Sequence, residues 1–157
     1  MESRVEDAIS LFKEGYNCAQ SVFATYADLF GMDKETALKL ASPMGAGIGR
    51  MREVCGTVSA MALLSGLKDG NIDPKNTEAK TATYEIVRVM SDKFAEENGS
   101  IICRELLGIL SREKSATPSE RTEEYYNVRP CVKLVASAAQ IVEEILFSDY
   151  KLPVTEK

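Results

Sequence analysis

Apolar residues recur along this chain at three- and four-residue spacing almost from end to end. That period is the signature of amphipathic helices and leaves little room for strands. Val5, Ala8, Ile9 and Phe12 form a first stripe, ended by Gly15. Cys18, Val22, Phe23, Tyr26 and Phe30 form a second, ended by Gly31. Asp33 suits the N-cap of a third helix with Ala37, Leu40 and Ala41 on its inner face. The stretch from Val54 to Leu67 is apolar on nearly every face, as a central helix is. Asp69-Gly70-Asn71 and Pro74 mark a loop before a long fifth helix, which carries Thr83, Val87, Met90 and Phe94 and ends near Asn98-Gly99. A short sixth helix starts at Ser100 and stops at Gly108. The last begins near Pro130, with Leu134, Val135, Ala138, Ile141, Val142 and Ile145 as its stripe. Between them, the polar run 111–127 reads as a loop with at most one helical turn, and 153–157 as a tail. The expectation is an all-α fold: a single-domain irregular bundle of about six to seven helices over residues 1–157.

Within that frame the four cysteines share one local context. Cys18 follows Asn17, a good N-cap, and Cys103 lies three residues after Ser100. Cys131 follows Pro130, and Cys55 follows a glycine-rich turn at the head of the apolar helix. A helix N-terminus offers unpaired N–H groups and partial positive charge, which lower a thiol pKa and favour thiolate. A lone buried cysteine is usually a small hydrophobe. Four at helix starts, where Ser, Thr, Asp and Asn compete, point instead to a sulfur site. No C-x-x-C pair is present, so a zinc ribbon or thioredoxin motif is disfavoured. Two chemistries stay open for Cys18, Cys55, Cys103 and Cys131. One is a dithiol/disulfide site, which as an enzyme is a thiol–disulfide oxidoreductase acting with a redox partner. The other is a Cys₄ site for zinc or an iron–sulfur cluster. Inert cysteines in a helical interaction protein form a third reading. A sulfur site requires at least two of the thiols to lie close enough to bridge, and the four allow three pairings.

What is missing from the chain narrows the choice. There is no histidine, so Ser–His and Cys–His catalysis and imidazole metal ligands are excluded. The net charge of −5, with no basic run, argues against a nucleic-acid partner. The longest uncharged apolar stretch, Val54 to Leu67, is too short for membrane insertion. The acidic opening, Met1 to Asp7, has no signal core, so the expected location is cytoplasmic, with thiols reduced at rest.

The loop Gly45-Ala46-Gly47-Ile48-Gly49-Arg50 matches neither G-x-G-x-x-G nor a P-loop, and its glycines read as a tight turn against a packed helix. Arg50 and Arg52 place positive charge near Cys55, which makes Cys55 the expected low-pKa thiol, below the free value of about 8.5. Arg104 and Lys133 are similar neighbours of Cys103 and Cys131. Tyr16, Tyr125 and Tyr126 are available donors to a thiolate, although most tyrosines keep the hydroxyl at the surface. The adjacent carboxylate pairs Glu96-Glu97, Glu123-Glu124 and Glu143-Glu144 diverge on a helix and read as solvated faces.

Taken together, Gly15-Tyr16-Asn17-Cys18-Ala19-Gln20, the loop Gly45 to Met51, Val54-Cys55-Gly56, the segment Ser100 to Gly108 and Cys131 resemble the redox-active family C_GCAxxG_C_C. The likeness runs from about Ala8 to Leu146, and all four cysteines fall on those that name the family. The family's central element is Cys-Gly-Ala-x-x-Gly. Here Thr57 and Ala60 stand where it has Ala and Gly. The resemblance implies redox chemistry at the cysteines and brings no particular reaction or substrate with it.

Overall fold

A computed structural model of the chain describes residues 1–109 and 114–149. Residues 111–113 of the expected polar loop and the expected tail 153–157 lie outside the described residues. Eight α-helices are present among the described residues: α1 Val5–Lys13, α2 Cys18–Ala27, α3 Lys34–Ala41, α4 Gly56–Asp69, α5 Thr77–Asn98, α6 Cys103–Leu107, α7 Glu123–Val128 and α8 Cys131–Leu146. The fold is all-α. The extra helix is α7, one short turn and a half inside the polar run, started by Thr122, whose hydroxyl accepts from the Tyr125 N–H.

The elements begin and end where the side chains dictate. Asn17 and Gln20 form a reciprocal capping box, with Asn17 Oδ1 accepting from the Gln20 N–H at 2.9 Å and Gln20 Oε1 from the Asn17 N–H at 3.0 Å. The same two side chains donate onward to the carbonyls of Ser42 and Leu38, which ties the start of α2 to the end of α3. Asp33 and Asn76 cap α3 and α5 in the ordinary way. Gly99 ends α5 in the left-handed region, which glycine enters without a Cβ penalty.

Helix α2 is the hub. It packs on α1, α3, α4 and α8, while α4 also packs on α5 and α8. The core joins Phe12, Val22, Phe23, Tyr26, Met61, Leu64, Met90 and Phe94 to the stripe of α8, whose six expected residues are all buried. Tyr26 is fully buried, and its hydroxyl donates to Glu143 at 2.7 Å, so its polar end is satisfied. Leu40 departs from expectation: it faces outward and is 46% exposed, because α3 is only eight residues long and buries a narrow Ala37–Ala41 face.

Two local features hold the remaining chain in place. Val54 pairs with Ile102 in an isolated antiparallel bridge, flanked by Cys55 N–H to Ile101 O (2.8 Å) and Cys103 N–H to Glu53 O (2.6 Å). That pairing is why α4 starts at Gly56 rather than Val54. The other is the glycine loop. Ala46, Gly47, Ile48, Gly49 and Arg50 all have φ between 53° and 70°, and Arg52 has φ 62°. Four of these residues are not glycine, and each costs about 1–2 kcal/mol in this region. A run of such residues is kept only where the surroundings over-determine it.

Candidate functional site

The four cysteines line one cavity of about 380 Å³, formed between the start of α2, the glycine loop, α6 and the start of α8. Cys18, Cys103 and Cys131 are the first residues of α2, α6 and α8, and Cys55 occupies the N-cap position of α4. The expected helix starts therefore hold, with two refinements. Ile102, not Ser100, precedes α6, and Pro130 is the cap of α8 rather than its first residue. All four thiols are free; Cys55 and Cys103 are buried, Cys18 and Cys131 half-buried.

Cys18 and Cys55 act on each other directly. The Cys55 S–H hydrogen-bonds to the Cys18 sulfur, which also accepts from the backbone N–H groups of Ala46, Ala19 and Gly56. These donors outweigh the cost of burial and bring the Cys18 pKa down to about 6. The left-handed backbone at Ala46 belongs to this arrangement, since it lies in the loop that delivers one of the N–H groups. Cys55 moves the other way. Its hydrogen bond to Cys18, its burial and the nearby Cys18 charge hold its thiol well above the ordinary range. The Thr57 hydroxyl, 3.1 Å from the Cys55 sulfur, acts in the opposite sense. The expectation that Cys55 is the low-pKa thiol is thus corrected: Cys18 collects the N–H donors, and Cys55 is the donor.

Glycines make the approach possible. A Cβ at Gly56 would lie 2.6 Å from Cys18 Sγ, one at Gly45 would lie 2.3 Å from Asn17 Nδ2, and one at Gly47 would lie 2.7 Å from Cys103 Cβ. The turn expected of this loop is present, and it packs against the cysteines themselves.

Cys103 and Cys131 remain thiols at neutral pH. Burial raises Cys103, opposed by Arg52, whose Nη1 lies 3.7 Å from the sulfur. Burial pushes Cys131 up to about 11, opposed by a hydrogen bond from Tyr125 and the charge of Arg129. Arg52 therefore serves Cys103 rather than Cys55. Arg50 reaches the Ser115 carbonyl (2.8 Å) and the Ser119 hydroxyl (3.1 Å) instead of a sulfur. Arg104 pairs with Glu53 at 2.8 Å, and Lys133 is exposed. Of the three tyrosines, Tyr125 alone contacts a cysteine sulfur among these interactions.

Thr57, noted in the sequence only as a departure from the family element, contacts the Cys55 sulfur. Two contributors were not singled out in the sequence: Arg121 and Arg129 line the cavity from the polar run and the approach to α8. Ala116, Pro118 and Ser119 of that run also line it, so the expected linker covers the cysteines. Among the described residues no group of three or more Cys, Asp or Glu side chains is arranged to hold a metal ion. The Cys₄ reading has no geometric support there. No described helix is long and apolar enough to cross a membrane.

A sequence profile for the family described as "Putative redox-active protein (C_GCAxxG_C_C)" matches residues 16–145 of the chain, well over half of its length. No curated protein and no solved structure matches it.

Proposed function

We propose, from the premise that the chain belongs to the C_GCAxxG_C_C family, that it is a thiol–disulfide redox protein in which Cys18 is the attacking thiolate and Cys55 the resolving thiol. The observation that carries this reading is geometric: all four thiols line one cavity, and the Cys18 sulfur lies against Gly56, the residue after Cys55, where an added Cβ would be 2.6 Å away. With its pKa held down to about 6, Cys18 favours the thiolate at pH 7.

The cycle has two steps. The Cys18 thiolate attacks one sulfur of a substrate disulfide. A bond forms between Cys18 and that sulfur, the substrate S–S bond breaks, and the departing thiolate takes a proton. Cys18 is then neutral. The hydrogen bond and the charge that kept Cys55 protonated are lost, so its pKa falls. Cys55 gives up its proton and attacks Cys18 Sγ, releasing the second substrate thiol. The protein gains a Cys18–Cys55 disulfide, losing two electrons and the Cys55 proton; the substrate gains the two electrons and leaves as two thiols, one protonated by Cys55 and the other by solvent. Cys103 and Cys131 line the same cavity and stay protonated through this cycle.

The test is a redox titration in dithiothreitol buffers, quenched by alkylation and mapped by mass spectrometry. A single two-electron transition, about 30 mV per tenfold change in the equilibrium constant, should accompany a Cys18–Cys55 disulfide. No disulfide at any poise, or a first disulfide that excludes Cys18, rejects the reading. Stoichiometric iron or zinc in anaerobically purified protein, lost from every single Cys→Ser variant, would favour the Cys₄ centre instead.

A further inference from the structure

The chain carries 24 acidic and 19 basic residues. Yet the charged side chains lining the cysteine cavity, among the described residues, are Arg50, Arg52, Arg121 and Arg129, with no carboxylate. Arg50 and Arg52 have the tasks given above. Arg121 and Arg129 are held by neutral groups. Arg121 donates to the carbonyls of Phe12 (2.8 Å) and Tyr16 (3.0 Å), with its Cζ 4.2 Å from the centre of the Phe12 ring. Arg129 donates to the Ser119 hydroxyl at 3.3 Å, with its Cζ 4.9 Å from the Tyr125 ring. Carbonyls, a hydroxyl and rings fix a guanidinium in place without cancelling its charge. The field of Arg129 also reaches the sulfurs, since it opposes the upward shifts of Cys103 and Cys131. Two guanidinium charges exceed the one negative charge of the Cys18 thiolate. The volume is at the small end of ligand cavities, and segment 116–119 forms part of its wall, which suits a small molecule better than a polypeptide.

We infer that the cavity takes a low-molecular-weight disulfide bearing carboxylates, which Arg121 and Arg129 hold while its sulfur meets Cys18; this rests on the thiol–disulfide reading for its sulfur chemistry. The reaction is the two-step exchange above, and the substrate leaves as two anionic thiols. Guanidinium groups recognise carboxylates through paired N–H donors, so the charged ends of the ligand supply both affinity and orientation.

The test compares three disulfides of similar size and different charge on the reduced, full-length protein: 3,3′-dithiodipropionate, 2-hydroxyethyl disulfide and cystamine. Each rate of Cys18–Cys55 oxidation is divided by the rate with dithiothreitol, which removes intrinsic reactivity. The dianion should exceed the dication by about tenfold, with the neutral compound between them. In Arg121→Gln and, separately, Arg129→Gln, the ratio should fall toward one whatever happens to the absolute rates. The Arg129 variant guards against a folding defect from losing the Arg121 carbonyl bonds. Equal normalised rates for the three, or cystamine fastest, overturn the anionic class and leave the dithiol reading intact. If none of the three oxidises Cys18, the dithiol reading fails. Calorimetric titration with suberate, in which two methylenes replace the two sulfurs, then decides the charge preference against 1,8-octanediol. Suberate bound at least tenfold more tightly keeps the anion site; equal binding removes it.

Discussion

Gly56→Ala adds one methyl group at the most crowded point of the site. The new Cβ would lie 2.6 Å from Cys18 Sγ, 2.9 Å from the Met44 carbonyl oxygen and 3.1 Å from Ala19 Cβ. Ordinary contacts are about 3.5–4.0 Å, so all three are overlaps. The Met44 oxygen is backbone and the Ala19 Cβ cannot rotate. The Cys18 side chain can turn about one bond, so the sulfur must yield first. Overpacking of this kind costs about 1–3 kcal/mol, offset by up to about 1 kcal/mol of helix propensity gained over glycine. A net loss of about 1–2 kcal/mol corresponds to a fall of about 2–8 °C in Tm for a chain of this size. The displaced sulfur also loses its alignment with the Cys55 S–H and the Gly56 N–H, two of the donors that keep its pKa low. Calorimetry of the reduced protein reads the first effect, and the pH profile of iodoacetamide labelling at Cys18 reads the second. The expected variant melts earlier and labels with a more alkaline midpoint. A variant that melts at or above the wild-type temperature with an unchanged Cys18 profile would refute the steric role of Gly56.

Other perturbations separate strain, charge and hydrogen bonding. Gly47→Ala should cost about 2 kcal/mol more than Gly49→Ala in urea unfolding. Both have positive φ, but a Cβ at Gly47 meets Glu53 N, Arg52 Cα and Cys103 Cβ within 2.7 Å, whereas one at Gly49 meets nothing within 4 Å; equal costs would dismiss the contact. The depressed Cys18 pKa adds stability that is lost as pH falls through about 6 and is fully present above the ordinary thiol value of about 8.5. Reduced wild type should therefore gain up to about 1.4 kcal/mol per pH unit between these limits, and Cys18→Ser should not. The raised pKa of Cys131 acts oppositely but only at higher pH, since its contribution is whole below 8.5 and lost through about 11. Thr57→Ala removes the hydroxyl that eases ionisation of Cys55, so a mixed disulfide on Cys18 should persist several-fold longer in quenched mass spectra. An unchanged lifetime would leave Thr57 a packing residue only.

Much of this was legible in the sequence because it depends on neighbours along the chain. Helical spacing located the stripes of α1, α2, α5 and α8, and Asn17 marked the start of α2, while the part of Gln20 in its capping box emerged only in the structure. The position of four cysteines at helix starts is likewise a local property. What the sequence hid are relations across the chain. Nothing near Cys18 shows that the N–H groups of Ala46 and Gly56 converge on it, nor does the text around Cys55 show that it donates rather than ionises. Charge near Cys55 in sequence was a poor guide, because the Val54–Ile102 bridge aligns 52–55 with 101–104 and delivers Arg52 to Cys103. Left-handed backbone at Ala46, Ile48, Arg50 and Arg52 is equally invisible, since none of these residue types favours it. Arg121 sat in a polar run with no periodicity, and only the path of that run past Phe12 and Tyr16 brings its guanidinium to the cavity.

The proposed exchange chemistry depends on which sulfur is ionised. Reduced protein is pulsed with iodoacetamide from pH 5 to pH 10, and alkylation of each cysteine is followed by mass spectrometry, in wild type and in Cys55→Ala. Cys18 should label with a midpoint near 6, and Cys55 and Cys131 only at strongly alkaline pH. Removing the Cys55 thiol should move the Cys18 midpoint upward, because it takes away the largest of the hydrogen bonds to the thiolate. A Cys18 midpoint at the ordinary value of about 8.5, or Cys55 labelling ahead of Cys18, would contradict it.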